Sequence, residues 1–435
     1  MAEYVVRGGG DALNKALNTI NLQNNDTILV EPGVYSRVRF NSRYKTGLKI
    51  KSTEGREKTI IDAEGLSSCF YSTRNDSSSR LSVYGFTFRN ANFEIEDTNE
   101  TSVLNRLGYH GVAVYGYNDL IDCGIYDISC NIYGPFKGYN GYWNRLWILA
   151  WTRLYNCEVS GNYMNCCFNS GASNIRHSDI HHNYFYRNQQ GDIGLFRNPV
   201  YNSKIHDNYL SSMCFVSTWS INNAIYRNHG SPKFKFSGRF PDGSTTHYGI
   251  WFAERGICKN NTFVKNDGIC FYQSTYGGRA FYKNNLFYDN YTADLSVKTK
   301  PTGEFGFIGT SIFINNYLDQ PLSSLLYYNY IESRNSCLVS GNIFLPNSDP
   351  GFVDEENDDY RLRSDSFLIS AGTGYDMSNY EKLLSGDANN LRNLENYLYN
   401  DIDIEGKQYD SEHPSIGAYQ YQDDGSIPSK IEPIG

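Results

Sequence analysis

The sequence predicts an all-β fold, a right-handed parallel β-helix, on three observations. An Asn recurs at 162, 183, 208, 228, 261, 285, 316 and 342, at spacings of 21, 25, 20, 33, 24, 31 and 26. Three residues before each anchor stands an apolar or aromatic side chain: Val159, Ile180, Ile205, Ile225, Cys258, Tyr282, Phe313 and Val339. Two residues after it stands another, Met164, Phe185, Leu210, Phe263, Phe287, Leu318 and Phe344, with Gly230 as the exception. A period of this size holding one strand–turn–strand unit describes a solenoid. The flanking apolar residues point inward and stack from coil to coil. The Asn occupies the bend, where it tolerates a left-handed backbone and its amide can bond along the column.

The elements follow in order. Ala12, Leu13, Ala16, Leu17 and Ile20 share one helical face, and Asp11 can cap it. Short apolar runs then alternate with turn residues: 27–30, 48–50, 59–61 and 83–88. Open solenoid ends expose sheet edges and need covers. Residues 1–25 are therefore expected to form an N-terminal cap, 26–348 the β-helix, 349–421 a C-terminal capping segment and 422–435 a tail. Two intervals exceed the repeat, 131–153 and 230–256, and are expected to be loop insertions on one face. In the first, Trp143, Trp147 and Trp151 lie four apart, as on a short amphipathic helix or along the rim of a groove.

Composition supports a large core and excludes several classes. The 435 residues include 37 Tyr, 24 Phe and 47 Asn, and the net charge is -8. Such an aromatic chain does not fit disorder. No run is apolar enough for a membrane span, and an acidic balance argues against nucleic acid as partner. Ten Cys lack metal-ligand spacing, so buried free thiols are expected. No signal-peptide pattern opens the chain. The expected place of action is nonetheless extracellular or at a cell surface, reached by a trimmed precursor or by lysis.

Three stretches carry a family resemblance. They are the run from Asn25 to Tyr35, the repeated Ile180-His181-His182-Asn183-Tyr184-Phe185 unit, and the end, Asp349 to Asp354, Asp359 to Leu362 and Ile416 to Tyr419. In these the chain resembles the right-handed parallel β-helix proteins of the pectate-lyase-like superfamily, which includes polysaccharide lyases, glycoside hydrolases and phage tailspikes. The resemblance implies an extended polysaccharide as partner.

Reading outward from the anchors gives three columns. Two before stand Ser160, His181, His206, Tyr226, Lys259 and Lys283; one before, Gly161, His182, Asp207, Arg227 and Asn260; one after, Tyr163, Tyr184, Tyr209 and His229. Tyr rings can stack on pyranose faces, and cations can pair with uronate or sulfate. Tyr163, Tyr184, Tyr209, Tyr226, His182 and His229, with Trp143 and Arg239 from the insertions, are thus candidate substrate contacts. Exposed Tyr columns also stabilise sheets by cross-strand packing.

The lyases this chain resembles use a base against the proton beside a uronate carboxylate, often with a cation as neutraliser. That implies His181, His206, Arg227 and Lys233 here. Hydrolysis would need two carboxylates, from Asp192, Asp207, Asp242 and Glu254. No motif transfers a catalytic residue. The paired Asp and Gly-His-Gly of polygalacturonase-like enzymes is absent, Asn228-His229-Gly230 being a partial echo, and so is the Asp-Pro-His-Glu of alginate epimerases. No cofactor is evident, although a divalent cation such as calcium suits the class. The expected function is binding and cleavage of an extended, acidic polysaccharide by elimination, with hydrolysis second. The alternative is a phage tail or other virion surface component, or an adhesin, that grips glycans without catalysis. A virion part would be a homotrimer, a secreted enzyme a monomer.

Overall fold

The computed structural model describes residues 1–41, 45–72, 80–96, 110–133, 146–164, 167–170, 174–185, 199–210, 215–229, 251–266, 271–272, 280–290, 305–306, 311–319, 338–345, 348–374 and 402–422. The strands in these stretches stack in parallel, each on the equivalent strand one coil away, and the chain is a parallel β-helix. Sheets of fifteen and twelve strands run the length of the described solenoid, and two five-stranded sheets complete its first half. The register follows from the period-2 pattern of each short strand. Val159, Ile180, Ile205, Ile225 and Phe263 pair in line and are fully buried. Each such side chain contributes about 1.5–3 kcal/mol of burial. The residues on either side of it point away from the core, and those at Ala224, Tyr226, Thr262 and Val264 are covered by the C-terminal segment.

The Asn anchors form two ladders, not one. In the first, each Nδ2 donates to the next Oδ1: Asn162 to Asn183 at 2.8 Å, Asn183 to Asn208 at 2.9 Å, Asn208 to Asn228 at 3.0 Å, then Asn228 to Asn266 at 3.0 Å and Asn266 to Asn290 at 2.9 Å. The second runs Asn223, Asn261, Asn285, Asn316 and Asn342 at another bend. Ser203, Ser178 and Cys157 continue it toward the N-terminus. The single series read from the sequence crosses from one ladder to the other between Asn228 and Asn261. Lys259 and Lys283 therefore do not follow Tyr226. They pair with Ile221 and Ile314 on the fifteen-stranded sheet, while Val264 and Tyr288 continue the Tyr226 column.

The residue before each ladder Asn is left-handed. At one bend it is Asn222, Asn260, Asn284 and Asn315, with φ of 51–57°. At the other it is His182, Asp207, Arg227, Lys265 and Asp289, with φ of 49–52°.

The N-terminal helix, Ala12–Thr19, buries Leu13 and Leu17 against the first coils. Asp11 makes no side-chain cap; its backbone is not extended, and its carboxylate instead accepts from Asn14. Trp147 lies in a strand, Leu146–Ala150, and Trp151 takes a left-handed bend, so these two are not helical.

The described parts of the C-terminal segment lie along the flank of the solenoid. Phe352, Tyr360, Leu362, Leu368, Ile416, Ala418 and Tyr419 pack on Ala224, Tyr226, Val264, Leu286 and Tyr317. The outward corner amides hold this strap by its backbone. Asn202 donates to the carbonyls of Ile402 and Asp403 at 2.9 and 2.6 Å, Asn222 to Ile402 at 2.6 Å, and Asn284 to Thr373 at 3.1 Å. Cys69, Cys123, Cys157 and Cys258 are buried free thiols.

Candidate functional site

The twelve-stranded sheet presents two outward columns. Glu158, Asp179 and Lys204 form one; Ser160, His181 and His206 form the other. Equivalent residues on adjacent coils lie ~4.8 Å apart. Two hydrogen-bonded clusters, one around His181 and one around His206, meet there through the stacked imidazoles. The His181 and His206 rings stack at 5.0 Å and 8°, and Tyr226 continues the stack beyond His206 at 4.6 Å. His206 is held at both nitrogens, Nδ1 by Asp207 at 2.7 Å and Nε2 by Asp179 at 2.9 Å. Asp207 is gripped in turn by two Arg227 nitrogens at 2.8 and 2.6 Å, and Arg227 also binds Asp358 of the strap. His181 Nδ1 meets His182 Nδ1 at 2.7 Å, and its Nε2 lies 3.4 Å from Glu158. Glu158 accepts from Arg56 and from the Tyr126 hydroxyl, each at 2.9 Å.

This surroundings split the two imidazoles. Burial pushes His181 below its ordinary pKa, and the neighbouring His206 adds to that against the pull of Asp179. Burial acts the same way on His206, but its bonds to Asp179 and Asp207 outweigh it and the net shift is upward. Asp179 lies below the usual carboxylate range, because the bond and charge of His206 outweigh the cost of burial. Asp207 is driven down to about 2, against burial, by Arg227 and His206. Arg227 is raised by its two carboxylate partners. Its charge is thus balanced within the protein.

The corner residues add a second argument. A left-handed backbone costs a non-Gly residue on the order of 1 kcal/mol, least for Asn and Asp. One bend meets this mostly with Asn, His177 being an exception. The other carries His182, Arg227 and Lys265, which gain nothing conformationally there, so their side chains account for their presence. Arg227 and Lys265 tie the strap down, the latter through Glu355 at 2.8 Å.

The tyrosine column is real. Tyr163, Tyr184 and Tyr209 stack on one another at 5.0 and 4.9 Å, within 13° of parallel, and His229 follows at 6.5 Å from Tyr209. Both faces of Tyr184 are taken up by its neighbours. Tyr163 and Tyr209 remain 46% and 43% exposed. Tyr226 is 4% exposed, covered by Tyr360 at 4.9 Å between ring centroids.

Of the remaining candidates, Asp192, Lys233, Arg239, Asp242 and Trp143 lie outside the described residues, as does the side chain of Glu254 within strand Trp251–Lys259. Sequence reasoning missed Glu158, Asp179 and Lys204. Their signal is the position four before Asn162, Asn183 and Asn208, which must share the outward face with the position two before. Lys204 is exposed, and its charge reaches Asp179 and Asp359 without a hydrogen bond to either among the described residues. Among the described residues no group of three His, Cys, Asp or Glu is arranged to hold a metal ion. No described helix is long and apolar enough to cross a membrane.

No family model matches the chain, and no curated protein matches it. Solved structures with a similar course include pectate lyase Pel9A, with 13% identity, a TM-score of 0.44 and 97% of both chains covered. Pectin methylesterase from Yersinia enterocolitica shows 14% identity and a TM-score of 0.27 over 65% of this chain and 92% of that one. PL6 family alginate lyase AlyGC shows 12% and 0.28 over 84% and 57%. All three are right-handed parallel β-helix proteins. At these identities and TM-scores none bears on activity, and the fold stands on the parallel registers described above.

Proposed function

We propose that the face bearing His181 and His206 binds an acidic polysaccharide and cleaves it by β-elimination. The observation that carries this is the pair of stacked imidazoles with opposite pKa shifts, since a base and an acid set apart by their surroundings mark an acid–base site. Neutral His181, its Nε2–H turned to Glu158, takes the proton beside the uronate carboxylate on Nδ1, where the substrate displaces His182. The Lys204 ammonium meets that carboxylate and favours loss of the proton. The electron pair closes the ring double bond as the glycosidic C–O bond breaks, and the His206 imidazolium protonates the leaving oxygen through Nε2, exchanging its bond to Asp179 for one to that oxygen. Hydrolysis is less well supported, because Asp179 and Asp207 remain ionised and cannot donate a proton. In this reading residues 1–25 cover the first coil, 26–348 form the binding solenoid and 349–421 limit the site; the protein acts outside cells.

A panel of pectate, alginate, glycosaminoglycans and capsular polysaccharides tests it. The expected result is ultraviolet absorbance of unsaturated uronates together with new reducing ends, and a loss of about 10²–10⁴-fold in kcat for His181→Ala or His206→Ala. Reducing ends without absorbance would replace elimination by hydrolysis. Binding with no product would leave a glycan-gripping protein of the virion or adhesin kind, for which light scattering should report a trimer.

A further inference from the structure

We infer that this face is a blind pocket for a chain end, not an open groove along the solenoid; the inference rests on the polysaccharide reading above. Among the described residues, the outward face of the twelve-stranded sheet is uncovered over the three coils of Glu158, Asp179 and Lys204, between two covered stretches, and opens again only at the first coils, where Val34 is exposed. Toward the C-terminus Ala224, Tyr226, Thr262 and Val264 are all under 5% exposed, roofed by the strap. The wall there is Tyr360 against Tyr226, fastened by Asp358 on Arg227. Toward the N-terminus the Tyr126 ring folds over Gly124, where an added Cβ would lie 2.3 Å from it. Arg56 arches over the same coil, its guanidinium 3.3 Å from the Cys123 carbonyl and 2.9 Å from Glu158. On the third side the turn at Ile402 and Asp403 docks on Asn202 and Asn222, beside Lys204.

The floor left free is three coils by three residues, on the order of 14 × 10 Å. The fourth side is the bend at His182 and Asp207. There Asn183 and Asn208 point inward, 1% and 0% exposed, and the bend is uncovered among the described residues. A polymer can leave over this bend, past the tyrosine column, but cannot continue along the solenoid in either direction. The pocket therefore takes about two or three terminal sugar units, with the reactive imidazoles in its floor.

The experiment is a time course on pectate and on polymannuronate alginate, following viscosity against product formed. A companion titration uses oligogalacturonates and oligomannuronates of two to six units. An end-acting protein releases one short product from the first turnovers, viscosity falls only in proportion to conversion, and affinity stops rising by about three units. Arg56→Ala and Tyr360→Ala, made separately at opposite walls, should each lengthen the products. Early collapse of viscosity, or affinity still rising at six units, overturns the pocket while leaving the polysaccharide reading intact. No binding and no product on either series overturns both.

Discussion

Asn208 shows how much a single residue carries here. It is fully buried, donates to Asn228 and to the Ile180 carbonyl, and accepts from both the backbone and side-chain N–H of Asn183. Asn208→Ala leaves several of these groups unpaired at about 1–3 kcal/mol each. A loss of about 3 kcal/mol in urea unfolding, with an unchanged slope, is expected, and a loss under 1 kcal/mol would mean the ladder is decorative. His206 makes a different prediction. Its folded pKa is raised, so its stabilising contribution is complete below its ordinary value of about 6.5 and fades as pH rises through the folded value. His206→Ala should therefore destabilise more at pH 6 than at pH 9, and equal effects at both would contradict the bonds drawn to Asp179 and Asp207. At this scale the sequence was readable where the backbone dictates the residue type. A left-handed bend wants Asn, and a period-2 strand wants Ile in its centre. It misled where two bends share one chemistry. The doublets Asn222-Asn223, Asn260-Asn261, Asn284-Asn285 and Asn315-Asn316 mark one bend, and His, Asp, Arg or Lys followed by Asn marks the other. That distinction separates the ladders in sequence except at Asn162 and Asn342, each of which follows a Gly.

Among the elements, the strap depends on Asp403. Its carboxylate is wholly buried and accepts backbone N–H groups from Glu405, Lys407 and Gln420. Burial nonetheless raises its pKa to about 6, against those bonds. The raised value means the strap gains stability by binding a proton. The gain is full below about 4 and disappears as pH rises through about 6. Hydrogen exchange at residues 403–420 should therefore reveal more frequent local opening at pH 8 than at pH 5, after correction for intrinsic rates; the reverse order would refute the assignment. The strap is also the part least legible in sequence. Arg227 and Asp358 are 131 residues apart, and Asn202 and Asp403 are 201 apart. No local pattern announces such pairings. The same distance explains why Tyr226 reads as a surface contact from its column, yet lies beneath Tyr360.

At the scale of the whole molecule, each coil from Asn162 to Asn290 is tied to the next twice, once through each ladder. Length is consequently a whole-number property of this protein. Asn183 and Asn208 are 25 residues apart. Excising residues 184–208 would set Asn183 directly beneath Asn228, and Ser178 beneath Asn223, each ladder losing a single member. The shortened chain should still unfold cooperatively, while lacking Lys204, His206 and Asp207. Removing half that number would displace every later amide from its partner and should abolish folding, as circular dichroism would report. Such a protein can grow or shrink only by full turns, and its chemistry can be gained or discarded a turn at a time, like a page taken from a bound book without disturbing the spine.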